Sequence, residues 1–211
     1  MAKPGAVLSS FAAPSTTTAG IAWDGHSIWL AATVPAATIY QLDPRNGNIL
    51  QSFPAPGNSF PCGLAWDGEA LWHTDQNVAQ PKIFRVSPTN GRVLRRLTSP
   101  CATTRGIAWD GRSLWLPDRG AASIFEVEPS TGATRRSIPS PVATVSSIAW
   151  DSHSLWVVAD VTEVIYQLDP RNGNILQSFP APATSHTGMA WDGKDLWVSS
   201  YNTNLVYRVA V

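Results

Sequence analysis

Ten tryptophans set in five evenly spaced pairs, a composition rich in turn-forming residues (15 Gly and 17 Pro) and a charge content of only 14% predict an all-β chain folded as a five-bladed β-propeller. The pairs are Trp23 with Trp29, Trp66 with Trp72, Trp109 with Trp115, Trp150 with Trp156 and Trp191 with Trp197. Their first members follow one another at intervals of 43, 43, 41 and 41 residues, and no tryptophan is left over. A period of that size marks one supersecondary unit repeated along the chain. Five units fill the 211 residues as a single domain, with blades at about 20–56, 63–100, 106–141 and 147–182, and a last blade of 188–211 together with 5–14.

Within the first unit the elements follow from pattern and turn chemistry. A strand around Gly20 to Trp23 and another around Ile28 to Thr33 flank Asp24-Gly25, a dipeptide suited to the positive backbone angles of a tight hairpin. A third strand, Ile39 to Leu42, is joined to a fourth, Ile49 to Phe53, through DPRNGN, where Pro44 presets the turn and Gly47 takes the left-handed position. Alternation puts Trp23 with Ile21 on one face and Trp29 with Ala22 on the other. Each four-stranded sheet is therefore apolar on both faces and needs cover on both, which a ring of five such sheets supplies. On this reading all ten indoles are chiefly packing groups, and a carbohydrate platform is the sharper reading of any one of them.

The ends predict how the ring closes. The last unit stops at NLVYRVAV, with no fourth strand, while the N-terminus reads AVLSSFAAP and matches NILQSFPAP when Phe11 is set against Phe53. Residues Val7 to Phe11 are expected to supply the missing outer strand. The segment IYQLDPRNGNILQSFPAP occurs identically at 39–56 and 165–182, a pattern of recent duplication, gene conversion or deliberate assembly.

Composition narrows the partners. Fifteen basic residues balance fifteen acidic ones, so no overall field draws in nucleic acid or an anionic membrane. No apolar run approaches the roughly 20 residues of a membrane span, and MAKPGAVLSSF lacks the features of a secretory signal. A soluble monomer without cofactor is expected. Cys62 and Cys101 allow one disulfide or two free thiols.

The turns sort onto two faces. WDG turns and DPRNG-type turns fall on the bottom and are nearly uniform, whereas the connections on the top vary in length and chemistry. Recognition is expected at the top mouth of the central channel, on loops carried by a rigid scaffold. The candidate residues there are His73, Asp75, Arg105, Asp118, Arg119, Asp160, His186 and Tyr201. Arg105 and Arg119 with Asp75 and Asp118 would make a clamp for a carboxylate, a sugar hydroxyl pair or a peptide end, or would pair among themselves and order the loops. A thiol catalyst built on Cys62 with His73 or His186 has no orienting third group, and His73, Asp75 and His186 lack the tight spacing of a metal motif. No catalytic residue is assigned. Arg92, Arg95, Arg96, Arg135 and Arg136 all fall in the predicted outer strands of blades two and three, where charge discourages edge-to-edge aggregation, and a basic docking stripe for an acidic protein is the functional reading of the same residues.

The blade text GIAWDGHSIW, GLAWDGEALW, GIAWDGRSLW, SIAWDSHSLW and GMAWDGKDLW, with IYQLDPRNG, IFRVSPTNG and IFEVEPSTG, resembles a widespread bacterial propeller repeat. In blade pattern it is similar to streptogramin lyase-like and plant-type glutamine cyclotransferase-like propellers. The resemblance covers essentially the whole chain and implies the fold. Streptogramin lyases have seven blades, and no metal-assisted lyase constellation maps onto this sequence. Glutamine cyclotransferases have five blades and depend on a channel-mouth glutamate, and Glu163, outside any matching motif, is the one glutamate predicted on the top face. The residues favour a non-enzymatic binding or scaffold module that recognises a ligand or peptide at the top mouth. A glutamine cyclotransferase-like enzyme is the alternative and a lectin-like sugar binder the third reading, although no pocket repeats around the top face.

Overall fold

The computed structural model describes residues 2–57, 60–76 and 81–211. Among them no helix forms, and twenty strands build five four-stranded antiparallel sheets. Blade one is β2 (Thr18–Trp23), β3 (Ile28–Ala32), β4 (Thr38–Leu42) and β5 (Ile49–Pro54). Blade two is β6 (Pro61–Trp66), β7 (Leu71–Asp75), β8 (Lys82–Val86) and β9 (Val93–Thr98), and blade three β10 (Ala108–Trp109), β11 (Leu114–Asp118), β12 (Ser123–Val127) and β13 (Thr134–Pro139). Blade four holds β14 (Val145–Trp150), β15 (Leu155–Ala159), β16 (Val164–Leu168) and β17 (Ile175–Pro180). In blade five β18 (His186–Trp191), β19 (Leu196–Ser200) and β20 (Leu205–Val209) are completed by β1 (Val7–Ala12). The residues 77–80 that lengthen the second blade's upper connection lie outside the described residues.

The closure predicted from the ends is present. Strand β1 pairs antiparallel with β20, with Phe11 opposite Val206, and the seam is extended by Gly5 N to Ala210 O at 2.9 Å and Ala13 N to Asn204 O at 2.8 Å. Phe11 meets Trp197 at 5.9 Å and 46°, the geometry of Phe53 on Trp29 and of Phe179 on Trp156. The N-terminal strand therefore enters the same socket as a covalently continuous fourth strand.

The core is cyclic. Five apolar clusters lie between successive blades; the one at the closure joins Phe11, Ala190, Trp197 and Val206 of blade five to Ile21, Ile28 and Leu30 of blade one. Around the channel the inner strands come very close. A Cβ on Gly20 would stand 2.4 Å from the Cys62 carbonyl oxygen, so this position excludes any side chain.

Two expectations are corrected. The tryptophans do not form one buried class. The second of each pair is 0–2% exposed and donates its Nε1–H to the aspartate of the preceding WD turn at 2.7–2.9 Å. The first of each pair is only half-buried, because it ends the inner strand at the bottom rim. The inner strand of blade three, expected to begin near Gly106, is cut to Ala108–Trp109. The cause is Asp118, whose carboxylate accepts hydrogen bonds from Ala102 N, Thr103 Oγ1 and Gly120 N. It ties the incoming chain to the end of β11 in place of an inner-strand ladder.

Candidate functional site

The loops of blades three, four and five converge at the top mouth around a cavity of about 350 Å³ lined by Arg105, Asp160, Ser185, His186, Thr187 and Tyr201. Arg105 stands in the irregular segment created by the shortened β10, and its side chain is 43% exposed. Asp160 follows β15 and is gripped by Arg119 at 3.0 Å, with Arg105 at 3.9 Å. Two guanidinium groups thus face the Asp160 carboxylate at this rim. Tyr201 follows β19, is 49% exposed and is held by its backbone N–H to Ser185 O at 2.9 Å.

His186 forms the inner wall. It opens β18 and is fully buried, with Nδ1 2.9 Å from the Glu163 carboxylate. A carboxylate accepts, so Nδ1 donates and Nε2 of the neutral ring carries a free lone pair. That Nε2 is buried and has no partner among the described residues. Burial pushes the His186 pKa below the ordinary histidine value, and the charges of Glu163 and Asp160 oppose this only in part. The ring is therefore a neutral acceptor at neutral pH. Glu163 also accepts from Ser185 N at 3.1 Å and sits at φ +52°, a left-handed conformation costly for a side chain of this kind. The equivalent turn positions, Ala122 and Asn204, share that φ, so the strain belongs to the turn, and only blade four uses it to aim a carboxylate at the neighbouring blade's histidine. Below the mouth, Thr18 Oγ1, Thr187 Oγ1 and Ser199 Oγ form a hydroxyl chain with links of 3.1 and 3.0 Å that joins blade one to blade five.

Of the eight residues expected at this mouth, Arg105, Arg119, Asp160, His186 and Tyr201 gather. The other three lie elsewhere. His73 is buried in blade two, bonded through Nε2 to Pro56 O at 2.8 Å and stacked on Phe84 at 5.4 Å. Asp75 is buried beneath Gly57, where an added Cβ would come within 2.1 Å of its carboxylate. Asp118 organises the loop described above. The clamp drawn from Arg105 and Arg119 thus closes on Asp160, with Asp75 and Asp118 elsewhere. Among the described residues no group of three His, Cys, Asp or Glu side chains is placed to hold a metal. Cys62 and Cys101 are free thiols, and burial raises their pKa values to about 11 and about 12, which is opposite to the activation a nucleophilic thiol requires. Not foreseen from the sequence is the pairing of Glu163 with His186. Its signal was present as the one top-face glutamate, but its partner lies 23 residues on, in the next blade.

No protein-family model matches the chain, and no curated protein matches it by sequence. Solved structures do match. The glutaminyl cyclase of Myxococcus xanthus superposes with a TM-score of 0.81 at 16% identity, covering 97% of this chain and 94% of that one. Virginiamycin B lyase of Staphylococcus aureus gives 0.56 at 20% identity over 94% of this chain and 67% of its own. A chain of a nidogen/laminin complex gives 0.62 at 18% identity over 92% and 75%. At these identities the likeness is one of fold: the chain is similar to five-bladed and larger propellers in architecture.

Proposed function

We propose that this protein is a monomeric binding module whose top mouth recognises a small ligand carrying a carboxylate beside a hydrogen-bond donor, as an amino acid or a peptide end does. One observation carries the reading: the cavity lined by the half-exposed Arg105, by Asp160 and by His186, whose buried Nε2 has no partner among the described residues. A buried acceptor without a partner costs about 1–3 kcal/mol, and a ligand N–H or O–H placed there recovers it. Arg105 would take the carboxylate, Asp160 an ammonium, and Tyr201 the flank.

A second reading is favoured by the fold match to a glutaminyl cyclase together with Glu163 at the channel mouth. In that reaction the α-amine of an N-terminal glutamine attacks its own side-chain amide carbon, and ammonia leaves as the lactam forms. The Glu163–His186 pair would accept the proton released by the amine and hand it to the leaving amide nitrogen, which departs as ammonia. Titration calorimetry with glutaminyl, glutamyl and alanyl peptides, run beside an ammonia assay, tests both. Binding of all three without ammonia release supports the module, ammonia release from the glutaminyl peptide alone supports the enzyme, and no heat with any peptide refutes both. Arg105→Ala is expected to abolish binding while shifting stability by no more than about 0.5 kcal/mol, as an exposed substitution does; a large loss of stability would reassign Arg105 to structure.

A further inference from the structure

The face opposite the top mouth carries a second kind of site. On the bottom, the groove between blades five and one encloses about 480 Å³ lined by Ser9, Trp23, Pro44, Arg45, Asp192, Lys194, Trp197 and Arg208. The groove between blades two and three encloses about 290 Å³ lined by Asp67, Trp72, Arg85, Arg95, Trp109, Pro129 and Ser130. These are the same positions of the repeat. Each has a floor made by the aspartate of one blade bound to the arginine of its third strand, Asp192 with Arg208 at 2.9 Å and Asp67 with Arg85 at 2.6 Å. Each has as its wall the first tryptophan of the next blade.

Two features of these grooves select a ligand. The walls, Trp23 and Trp109, are half-buried indoles whose Nε1–H has no protein partner among the described residues, unlike the five aspartate-bound indoles. Each groove also holds a cation with no carboxylate partner among the described residues: Lys194 in the first, and Arg95, bound only to the Ser130 carbonyl at 2.7 Å, in the second. The lining is thus rich in donors beside a flat aromatic surface, and each groove offers one cation besides its paired arginine, Arg208 being held by Asp195 at 3.0 Å as well as by Asp192, and Arg85 by Glu69 at 3.1 Å as well as by Asp67. We infer that the two grooves bind a carboxylate-bearing sugar, a hexuronate unit, with its C–H face on the indole, its carboxylate on Lys194 or Arg95, and its hydroxyls on the indole N–H and the Asp–Arg pair. Repeated pockets, not apparent on the top face, occur here.

The residue on the fourth strand sets the size of each groove. Ser9, supplied by the N-terminal strand, is short and leaves the closure groove open, whereas Arg95 reaches across the second groove. At the same position in blade one, Gln51 spans to Pro88 O of blade two at 3.1 Å. Ser9→Gln should close the first groove in the same way.

The test is a titration of ¹⁵N-labelled protein with sodium glucuronate, read on the ten indole N–H signals, with glucose and sodium acetate as controls. Glucuronate is expected to shift the Trp23 and Trp109 signals and leave those of Trp29, Trp72, Trp115, Trp156 and Trp197 in place. Ser9→Gln is expected to remove the Trp23 shift and spare that of Trp109. Lys194→Gln, in an exposed turn and outside the β1 seam, is expected to weaken the Trp23 response about tenfold, the loss of one charged hydrogen bond. The inference is overturned if neither indole shifts, if acetate or glucose reproduces the shifts, or if both variants leave the Trp23 response unchanged.

Discussion

At the scale of single residues, the WD turns show how a polar group holds an apolar core together. Asp151 accepts from His153 N, Ser154 N, Ser154 Oγ, Trp156 Nε1 and Gln167 Nε2, and those hydrogen bonds outweigh burial and hold its pKa below the ordinary value. The indole N–H that must be buried with the ring is thereby satisfied. Trp156→Ala is expected to cost about 3–5 kcal/mol, from the cavity together with the orphaned carboxylate, and Trp109→Ala, half-buried at the rim, distinctly less; urea denaturation of the two variants ranks them. The buried histidines predict a pH dependence. Burial lowers the pKa of both His73 and His186, so below about pH 6.5 the unfolded chain takes up protons that the native state refuses. Stability is expected to be full above that pH and to fall as the solution is acidified through the window between the unfolded and the folded values. His186→Gln should flatten the slope in denaturation curves taken from pH 7 to 5. An unchanged slope would show that His186 is not held neutral.

At the scale of elements, the strands were legible because each is short, alternates, and is bounded by turns with one conformational solution, such as Gly47 at φ +76°. The repeat then multiplied one reading by five. The shortened β10 was not legible, because it results from one side chain, Asp118, reaching back to bond residues 102 and 103. The site was half legible for the same reason. Arg105, Asp160 and His186 could be placed on the top face by repeat position, but the bond between Glu163 and His186 depends on a left-handed turn in one blade meeting the first residue of the next. Strand β1 was legible from the missing fourth strand of the last unit and the match of AVLSSFAAP to NILQSFPAP with Phe11 against Phe53, and its role gives the sharpest element-level prediction. Deleting residues 1–12 removes Phe11 from Trp197 and exposes the donors and acceptors of β20 along a whole edge. The truncated chain is expected to lose its stable monomeric form, seen as a lower melting temperature and association in sedimentation. An unchanged melting temperature would mean that β1 does not hold the ring closed.

At the scale of the whole molecule, the ring is closed by its least local contact. Phe11 and Val206 face each other from opposite ends of the chain, whereas β4 and β5 form the same hairpin through only the turn at 43–48. A circular permutant that starts at Ala13, runs to Val209 and continues through the sequence DPRNGN into residues 7–12 would turn β20 and β1 into a hairpin like the other four. The pairing of β1 with β20 is kept, since Val7 then stands to Val209 as Ile49 stands to Leu42, and only the bonds beyond it, Gly5 N to Ala210 O and Ala210 N to Ala6 O, are given up. What changes is the loop entropy spent before the last blade forms, because a closure across nearly the full chain becomes local. The permutant is expected to fold faster, to unfold at nearly the parent rate, and so to gain stability entirely on the folding limb of the denaturant-dependent kinetics. If unfolding accelerates instead, the free ends hold contacts that the hairpin cannot reproduce, and the closure is more than a fourth strand supplied from the other terminus.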